Sequence, residues 1–367
     1  MRVLTVNAGS SSLKMSLLDA ADNVLARRHV EAVGGGFDTG TVTAELDGLP
    51  APDAVGHRVV HGGGEFIAPA RIDERVERRL RALTELAPLH QPKSLAGIEA
   101  VRSALPGVPE VACFDTAFHA TLPAAAATYA VPEAWRQEYG LRRFGFHGLS
   151  HAYAVRRAAE LTALTGPAPG RVVVCHLGAG ASLAAVRDGR CVDTTMGFTP
   201  LEGLVMATRS GSVDPGMLLW LAERTELTAK EISHALEHES GLRALAGTDD
   251  MREVVAGAGK GEPRAVLALD VYVHRLRGAM AAMAAALGGL DVLVFTGGVG
   301  EHAAEVRRRA ADGLAFLGVA LDAAANRDAA PDAEVSAPGS AVRTLVIAAR
   351  EDLEIAAGVR AALGPAS

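Results

Sequence analysis

One pattern occurs twice in this chain: a β-branched run, a turn rich in Gly and Ser or Ala, and a second apolar run. The first copy, at residues 3–13, reads VLTVNAGSSSL, and the second, at residues 172–183, reads VVVCHLGAGASL. Each copy continues into an acidic turn, at Asp19 and at Asp188. Such internal similarity predicts two domains of related fold that face one another, and the alternative is a chance match. A length of 367 residues also suits about two domains.

Short β-branched runs alternate with Ala-, Leu- and Arg-rich helical patterns, which predicts an α/β fold. Strands are expected at residues 2–6, 14–18, 110–114, 171–175, 182–187, 292–296 and 343–347. Helices are expected at residues 92–104, 150–162, 215–224, 265–287, 301–313 and 351–363. Ser150 is predicted to cap the start of its helix, and Pro215 is predicted to lie in a first helical turn.

Charge and cysteine usage narrow the possible partners and location. The formal net charge is -7, which disfavours nucleic acid and anionic membranes as partners. No CxxC spacing exists, so Cys113, Cys175 and Cys191 are predicted to be buried thiols in a reducing cytosol. The N-terminal segment lacks a secretory pattern, and the apolar stretch at residues 279–290 is too short to span a bilayer. These features predict a cytoplasmic protein.

Gly/Ser turns between strands expose backbone N–H groups that can cradle phosphate oxygens. Ser10, Ser12 and Lys14 add hydroxyls and an ammonium to the first turn, and a further turn, TGGVG, is predicted at residues 296–300. A single copy would be read as an ordinary hairpin, but three such turns favour phosphate binding. The chain has no GxxxxGK[ST] loop, and its GxGxxA match at residues 298–303 lies too late to open a dinucleotide domain.

Arginines and histidines lie beside glycines in short polar segments, at residues 56–63, 142–148 and 206–211. A guanidinium there suits a carboxylate or a phosphate, although each arginine taken alone is better explained as a surface charge. His57, His61 and His119, taken alone, are better explained as structural, and no HExxH or other zinc spacing occurs. Asp115 ends a predicted strand, which is a position typical of sites in α/β folds.

Six segments occur in a specific order: VNAGSSSLK, GHRVVHGG, FDTAFH, RRFGFHGLSHAY, MATRSGSVDPG and FTGGVGE. In these segments the chain resembles the acetate and propionate kinase family, within the actin, hexokinase and Hsp70 superfamily. The resemblance runs from Val3 to about Ala357. It implies an α/β fold of two actin-like, ribonuclease H-like domains with a catalytic cleft between them. The implied domains are an acyl-substrate domain, 1–117 plus a returning helix at 352–367, and a nucleotide-binding and dimerisation domain, 118–351.

The resemblance implies Mg²⁺-dependent transfer of a phosphoryl group between ATP and acetate, in a homodimer, with Mn²⁺ able to replace Mg²⁺. Asn7 and Glu351 resemble the metal ligands, and Arg58 resembles the arginine that takes the substrate carboxylate. Asp115, His147 and Arg209 resemble the other catalytic residues. The implied acyl pocket comprises Val60, Leu89, His90, Phe146 and Pro200. The implied nucleotide contacts are Ser10, Ser12, Lys14, His176, Leu177, Gly178, Ala179, Gly180, Asp250, Met251, Arg252, Gly298, Val299, Gly300, Glu301 and His302.

The chain departs from the family pattern at four places. Ala179 replaces an asparagine, Gln91 and His302 replace two more, and Ala348-Ala349-Arg350 replaces a Pro-Thr-Asn before the acids Glu351 and Asp352. A propionate or butyrate kinase is kept as an alternative, because the sequence does not determine the length of the acyl chain. A catalytically inactive nucleotide-binding relative, motivated by Ala179, is the alternative from another class.

Overall fold

The computed structural model describes residues 1–9, 12–32, 36–88, 90–163 and 170–364. These residues form two compact units. The first unit comprises the described residues within Met1–Ala120, Phe146–Tyr153 and Arg350–Ser367. The second unit comprises those within Thr121–Gly145 and Ala154–Ala349. The functional domains expected at 1–117 with 352–367 and at 118–351 stay predictions.

Six strands form the sheet of the first unit, in the spatial order β3-β2-β1-β4-β6-β5. Their bounds are β1 Val3–Ala8, β2 Ser12–Leu18, β3 Val24–Glu31, β4 Ala54–Val59, β5 Ala70–Arg71 and β6 Glu110–Phe114. The strands β1, β2 and β3 form an antiparallel meander, while β1, β4 and β6 are parallel. Parallel strands covered on both faces are nearly continuous apolar runs. Every residue of β6 is buried, including Glu110, which pairs with His57 and Arg102.

The sheet of the second unit has the order β11-β12-β10-β7-β8-β9. Its strands are β7 Arg171–Leu177, β8 Ala181–Arg187, β9 Arg190–Thr194, β10 Val292–Thr296, β11 Ala333–Glu334 and β12 Arg343–Val346. Again three successive strands form an antiparallel meander, and β7, β10 and β12 are parallel. The repeated order confirms the α/β fold and the duplication predicted from the two similar segments.

Helices surround both sheets. In chain order they are α1 Thr39–Leu46, α2 Glu74–Ala82, α3 Gln91–Ala104, α4 Ala124–Ala127, α5 Glu133–Tyr139, α6 Gly148–Ala163, α7 Pro215–Arg224, α8 Ala229–His234, α9 Gly241–Ala246, α10 Met251–Gly259, α11 Pro263–Leu287, α12 Gly297–His302, α13 Ala304–Asp312, α14 Ala323–Arg327 and α15 Glu351–Leu363. A π-helical turn spans Ala235–Glu239, and short 3₁₀ turns span Leu83–Glu85, Ala117–Thr121 and Ala315–Leu317.

The helix α15 packs on the first sheet through Ile355 and Val359, which belong to a buried cluster with Val3, Val111 and Cys113. The approach is close because β4 carries a glycine at position 56. A Cβ there would lie 2.5 Å from Ile355 and 2.6 Å from Val359. The last helix therefore needs the glycine of the GHRVV segment to lie against the sheet.

One predicted helix start agrees with the structure, whereas another helix start and one predicted turn differ from it. Pro215 lies in the first turn of α7, as the sequence predicts, and Asp214, which was not predicted, caps the helix by accepting from the Gly216 N–H. Ser150 is not a cap, because α6 begins at Gly148, directly after a turn at His147. The predicted turn at residues 296–300 is wrong as well, since the chain enters the short helix α12 immediately after β10.

The described cysteines are buried and form no disulfide. Burial raises the pKa of the Cys113 thiol to about 12 and keeps it protonated. No helix in the described part of the chain has the length and apolar character needed to cross a membrane.

Candidate active site

Three predicted site residues lie at one edge of the first sheet. Asn7 is near the end of β1, Arg58 is near the end of β4, and Asp115 directly follows β6. These strands are parallel neighbours. In open α/β sheets, ligands bind outside the carboxyl ends of such strands. The order of the strands thus brings together side chains that are far apart in sequence.

The guanidinium of Arg58 is the centre of this cluster. It donates from Nε (3.0 Å) and from NH2 (2.5 Å) to Oδ2 of Asp115, and from NH1 (3.0 Å) to Oδ1 of Asn7. Its Nε also lies 3.8 Å from Oε2 of Glu351. Asn7 completes the cluster, because its Nδ2 donates to Oε2 of Glu351 at 3.0 Å. We call these four residues the arginine cluster.

The arginine cluster keeps the guanidinium of Arg58 charged between two carboxylates. Burial by itself would lower the pKa of Arg58, but the charges of Asp115 and Glu351 outweigh burial and raise that pKa. The carboxylate of Asp115 is fully buried. Charge-assisted bonds in such surroundings are short and strong, and removal of one partner leaves the other buried and uncompensated. The cluster can therefore present an oriented guanidinium to an anion.

Glu351 is the first residue of α15. It directly follows Arg350, which belongs to the stretch that departs from the family pattern. Arg350 donates from Nε (2.9 Å) and NH2 (3.0 Å) to the two carboxylate oxygens of Asp352. This bidentate pair engages the second acid of the segment. Glu351 then supplies the carboxylate that meets Asn7 and Arg58.

The arginine cluster contains oxygen donors of the kind that Mg²⁺ prefers, namely the Glu351 carboxylate and the Asn7 amide oxygen. Among the residues that the structure describes, no three His, Cys, Asp or Glu side chains form a group able to hold a metal ion. Mg²⁺ usually takes only one or two protein carboxylates and completes its octahedron with waters and substrate phosphates. The Glu351 carboxylate and the Asn7 amide oxygen would therefore suit a magnesium ion that completes its octahedron with other ligands.

The turn at residues 146–148 lies against the segment that follows β6. His147 has φ +57°, a left-handed conformation that is uncommon for a residue with a side chain. Two bonds hold the turn: the Gly148 N–H donates to the Asp115 carbonyl (2.9 Å), and Nε2 of His119 bonds the Phe146 carbonyl (2.9 Å). The residue with the strained backbone is thus fixed on both sides by residues 115 and 119.

The protonation of His119 follows from its surroundings. Burial lowers its pKa to about 4, against a smaller opposing effect of its bond to Phe146. The ring is therefore neutral at pH 7, and Nε2 carries its proton, because a carbonyl oxygen can only accept.

Position 148 admits only glycine, since a Cβ there would lie 2.1 Å from the Asp115 carbonyl oxygen.

The residues predicted to form the acyl pocket are placed as follows. Val60 and Phe146 are buried in the first unit, and the ring of His61 packs edge-on against Phe146 with centroids 5.4 Å apart. His90 is half-buried and directly precedes α3. Pro200 is buried in the second unit, and Leu89 lies outside the described residues. The pocket as a whole stays a prediction.

The first glycine turn joins β1 to β2, where the Gly9 N–H donates to the Ser12 carbonyl at 2.8 Å. Ser12 is buried, while Lys14 is exposed and pairs in register with Asn7. The predicted phosphate contact Ser10 lies outside the described residues. A role for this turn in phosphate binding stays a prediction.

The second glycine turn joins β7 to β8 in the same way. The Gly178 N–H donates to the Gly180 carbonyl at 2.9 Å, and His176 and Leu177 end the preceding strand. The side chain of Ala179 is exposed, while its carbonyl accepts from the Ala207 N–H at 3.1 Å. The departure from the family pattern therefore concerns a side chain that points away from the core of the unit.

Arg209 lies in the loop that follows this contact. Its Nε is 3.2 Å from Oε2 of Glu237, and its NH1 donates to the Pro200 carbonyl at 3.3 Å and lies 3.7 Å from Sδ of Met206. Both charged side chains of the pair are mostly buried. The guanidinium is thus held in place by neighbours in its own unit.

A buried arginine holds the segment at residues 298–302 in place through hydrogen bonds. Arg307 on α13 donates from NH1 to the carbonyls of Gly300 (2.9 Å) and Glu301 (2.7 Å). Gly298 and His302 are exposed. Arg307 satisfies the carbonyls at the end of α12, which would otherwise lack partners. Val299, in the middle of α12, is half-buried.

Asp250 caps α10 by accepting from the Arg252 N–H at 2.8 Å, and its carboxylate also pairs with the Arg252 guanidinium at 2.6 Å. The hydrogen bonds from Arg252 lower the pKa of Asp250. Met251 between them is buried. Both charged groups of this predicted nucleotide segment are therefore engaged with one another.

Glu237 and Arg307 are site residues that were not predicted from the sequence. Arg307 had a signal: it occupies the buried stripe of α13 together with Val306, Ala310 and Ala311, where a charge needs a specific reason. Glu237 had none, because its pairing with Arg209 depends on how a distant turn folds back.

A search of known families finds that the Acetokinase family matches residues 42–357. The acetate kinase of Deinococcus radiodurans is 47% identical over 388 residues, which cover 97% of this chain and 96% of that protein. Among solved structures, the acetate kinase of Porphyromonas gingivalis superposes with a TM-score of 0.91 at 37% identity, covering 99% of this chain and 100% of that one. A propionate kinase from Francisella tularensis superposes with a TM-score of 0.89 at 35% identity, covering 97% and 98%.

Proposed function

The chain belongs to the acetokinase family, and from this premise we propose that it catalyses the reversible transfer of the γ-phosphoryl group of ATP to acetate. The products are acetyl phosphate and ADP. The observation that carries the proposal is the arginine cluster, an oriented guanidinium at the carboxyl edge of a parallel sheet. An arginine fork matches the two oxygens of a carboxylate such as acetate.

Acetate is already ionised at pH 7, because carboxyl groups titrate near pH 4 to 5. The nucleophile therefore needs no general base. The position of Asp115, with one carboxylate oxygen accepting twice from Arg58, supports a role in orienting the guanidinium. Arg58 would then bind the acetate carboxylate and offset its repulsion of the incoming phosphoryl group.

Asn7 and Glu351 are the residues that we assign to Mg²⁺, or to Mn²⁺ in its place. Bound there, the ion would neutralise phosphate charge during transfer. The protein's own contribution is to hold Asn7 and Glu351 side by side through the hydrogen bond that Nδ2 of Asn7 donates to Oε2 of Glu351. Removal of the metal by EDTA should abolish turnover, and added Mg²⁺ should restore it. Turnover that continues in metal-free buffer would refute the assignment.

The second unit would bind the nucleotide through the predicted segments at residues 176–180, 250–252 and 298–302, and the first unit would contribute Ser10, Ser12 and Lys14. Arg209 and His147 are proposed to stabilise the charge that develops on the equatorial oxygens, as donors fixed before the reaction do. Support comes from the contacts that hold both residues in place.

Propionate is the second candidate substrate, because a relative of similar fold and 35% identity is a propionate kinase. Val60 and Phe146, with Leu89 and Pro200, would form the slot for the acyl methyl group. One extra methylene changes discrimination by about 1–3 kcal/mol. We expect acetate to have the highest kcat/KM and propionate a lower one. Butyrate as the best substrate would refute this pocket.

The direct test is trapping of the acyl phosphate with hydroxylamine in the presence of ATP, Mg²⁺ and acetate. We expect acyl hydroxamate well above a blank without enzyme. A folded sample that gives none with acetate, propionate or butyrate would refute the kinase and favour the inactive nucleotide-binding relative.

We further propose a homodimer formed through the second unit. The support is α7, in which Met217, Leu219 and Trp220 are exposed apolar side chains on one short helix. Exposed apolar patches of this kind mark protein contacts. Light scattering should give the mass of two chains, and Leu219→Asp with Trp220→Asp should give one. A wild-type monomer at micromolar concentration would refute the proposal.

We also propose that the protein is located in the cytoplasm. The buried free cysteines support a reducing compartment of this kind.

A further inference from the structure

The loop that carries Arg209 is bound to a π-helical turn at Ala235–Glu239. Turns of this kind are rare and often occur at functional sites. This turn carries two carboxylates that differ in their surroundings. Glu237 is mostly buried and meets Arg209, whereas Glu239 is exposed and lies near His234.

Backbone bonds fix the turn and the loop to one another. The Ser210 N–H donates to the Leu236 carbonyl (3.1 Å), and the Ser240 N–H donates to the Thr208 carbonyl (3.0 Å). Oγ1 of Thr208 donates to the carbonyl of Glu237 itself, at 2.8 Å. The residues on both sides of Arg209 are therefore hydrogen-bonded to the segment at residues 236–240, which carries Glu237.

The side chain of Glu237 completes this arrangement. Its Oε2 lies 3.2 Å from Nε of Arg209, while NH1 of the same guanidinium donates to the Pro200 carbonyl. A planar guanidinium held through two of its nitrogens has its plane fixed. An arginine side chain that is not held in place loses rotamer entropy when it binds an anion. Holding it beforehand removes that loss from the reaction step.

The Glu237 carboxylate would also repel a phosphate bound near Arg209. The loop's contacts show what the carboxylate contributes in return, because the Ala207 N–H donates to the Ala179 carbonyl in the second glycine turn. Orientation of Arg209 is thereby coupled to the turn that we assign to the nucleotide.

We propose that Glu237 is a positioning residue that orients Arg209 for phosphoryl transfer. The inference rests on the proposed role of Arg209 in catalysis. It assigns Glu237 no contact with substrate, so that its loss should lower kcat and leave binding largely intact. Its effect should also vanish when Arg209 is absent.

The experiment compares Glu237→Ala, Glu237→Gln and the matched control Glu239→Gln, each alone and with Arg209→Ala. We expect Glu237→Ala to lower kcat about 10- to 50-fold while the KM for acetate and for ATP changes less than about threefold. Glu237→Gln keeps an acceptor oxygen and should recover part of the loss. Glu239→Gln should retain wild-type kcat. In the Arg209→Ala background, Glu237→Ala should change kcat less than about twofold.

The outcomes separate the two hypotheses. Wild-type kcat in Arg209→Ala would refute the catalytic role of Arg209 itself. Loss of activity in Arg209→Ala with wild-type kcat in both Glu237 variants would overturn the positioning role alone. So would a full effect of Glu237→Ala in the Arg209→Ala background, or an equal effect of Glu239→Gln. Should Glu237→Ala fail to unfold cooperatively, the near-isosteric Glu237→Gln carries the same comparisons.

Discussion

Oδ2 of Asp115 accepts two hydrogen bonds from the guanidinium of Arg58, at 3.0 Å from Nε and 2.5 Å from NH2. Arg58 lies on β4, Asp115 directly follows the parallel neighbour β6, and the Asp115 carboxylate is fully buried. A carboxylate used in this way fixes the plane of the guanidinium. It leaves the cluster dependent on both partners, because a buried charge without its partner is costly.

Arg58→Ala should lower kcat/KM for acetate about 30- to 1000-fold, because a charge-assisted contact in a desolvated site is lost. Arg58→Lys should recover only part of this, since an ammonium cannot form the planar fork. Steady-state kinetics with acetate as the varied substrate measure both. Arg78→Ala, which removes an exposed arginine of the same unit, is the control. Near wild-type kinetics for Arg58→Ala would remove Arg58 from the site.

Asp115→Asn distinguishes orientation from general-base catalysis. An amide oxygen can still accept from Arg58, but an amide cannot take a proton. If Asp115 orients Arg58, Asp115→Asn should retain at least about tenfold more kcat than Asp115→Ala, which lacks any acceptor. Equal and severe losses in the two variants, with unchanged thermal unfolding, would contradict the orienting role and favour a base.

His119→Leu should disturb the turn that holds His147, because the bond from Nε2 to the Phe146 carbonyl is lost. We expect kcat to fall about tenfold, since reacting groups tolerate little misplacement. His119→Gln can place an N–H near the same carbonyl and should be closer to wild type. Equal kcat in the leucine variant and the wild type would show that the turn does not need this bond.

His61 and His119 predict a stability that depends on pH. Burial lowers the pKa of each ring to about 4. An unfolded histidine takes up its proton near pH 6.5, so below that pH the unfolded state binds more protons than the folded state does. The free energy of unfolding should therefore fall as the pH drops from 6.5 toward 4, by about 2 kcal/mol per histidine at pH 5.

Urea unfolding at pH 7 and at pH 5 measures this loss. His119→Gln should unfold with a smaller difference between the two pH values than the wild type does. His274→Gln changes an exposed histidine and should leave the difference unchanged. A wild-type free energy of unfolding that is equal at both pH values would contradict the buried neutral rings.

Ala179→Asn would restore a side-chain amide at the second glycine turn. The side chain is exposed, so that asparagine can be accommodated without repacking. A hydrogen bond to a charged phosphate contributes about 1.5–3 kcal/mol. We expect kcat/KM for ATP to rise several-fold, because alanine donates no bond. A lower kcat/KM with unchanged thermal stability would mean that local compensation, or another phosphoryl donor, already replaces that amide.

The sequence predicted individual residues of the candidate site but not the contacts between them. The GHRVV and FDTAFH segments pointed to Arg58 and Asp115, but no local signal paired Arg209 with Glu237. That pair forms only where a distant turn folds back onto the loop, and the packing of both segments sets its geometry. The π-helical turn that places Glu237 has no periodic signature that would identify it beforehand.

The sequence by itself determined the α/β class and the duplication, because strand periodicity and glycine turns are local properties that survive without the rest of the chain. It also determined the start of α7, where Asp214 and Pro215 act within one turn. Only the tertiary structure decided that Asn7 meets Glu351 across 344 residues of sequence. That contact depends on α15 lying against the first sheet, through a glycine at position 56 and a buried apolar cluster. Local propensity specifies elements, whereas the packing of their buried faces selects which side chains meet.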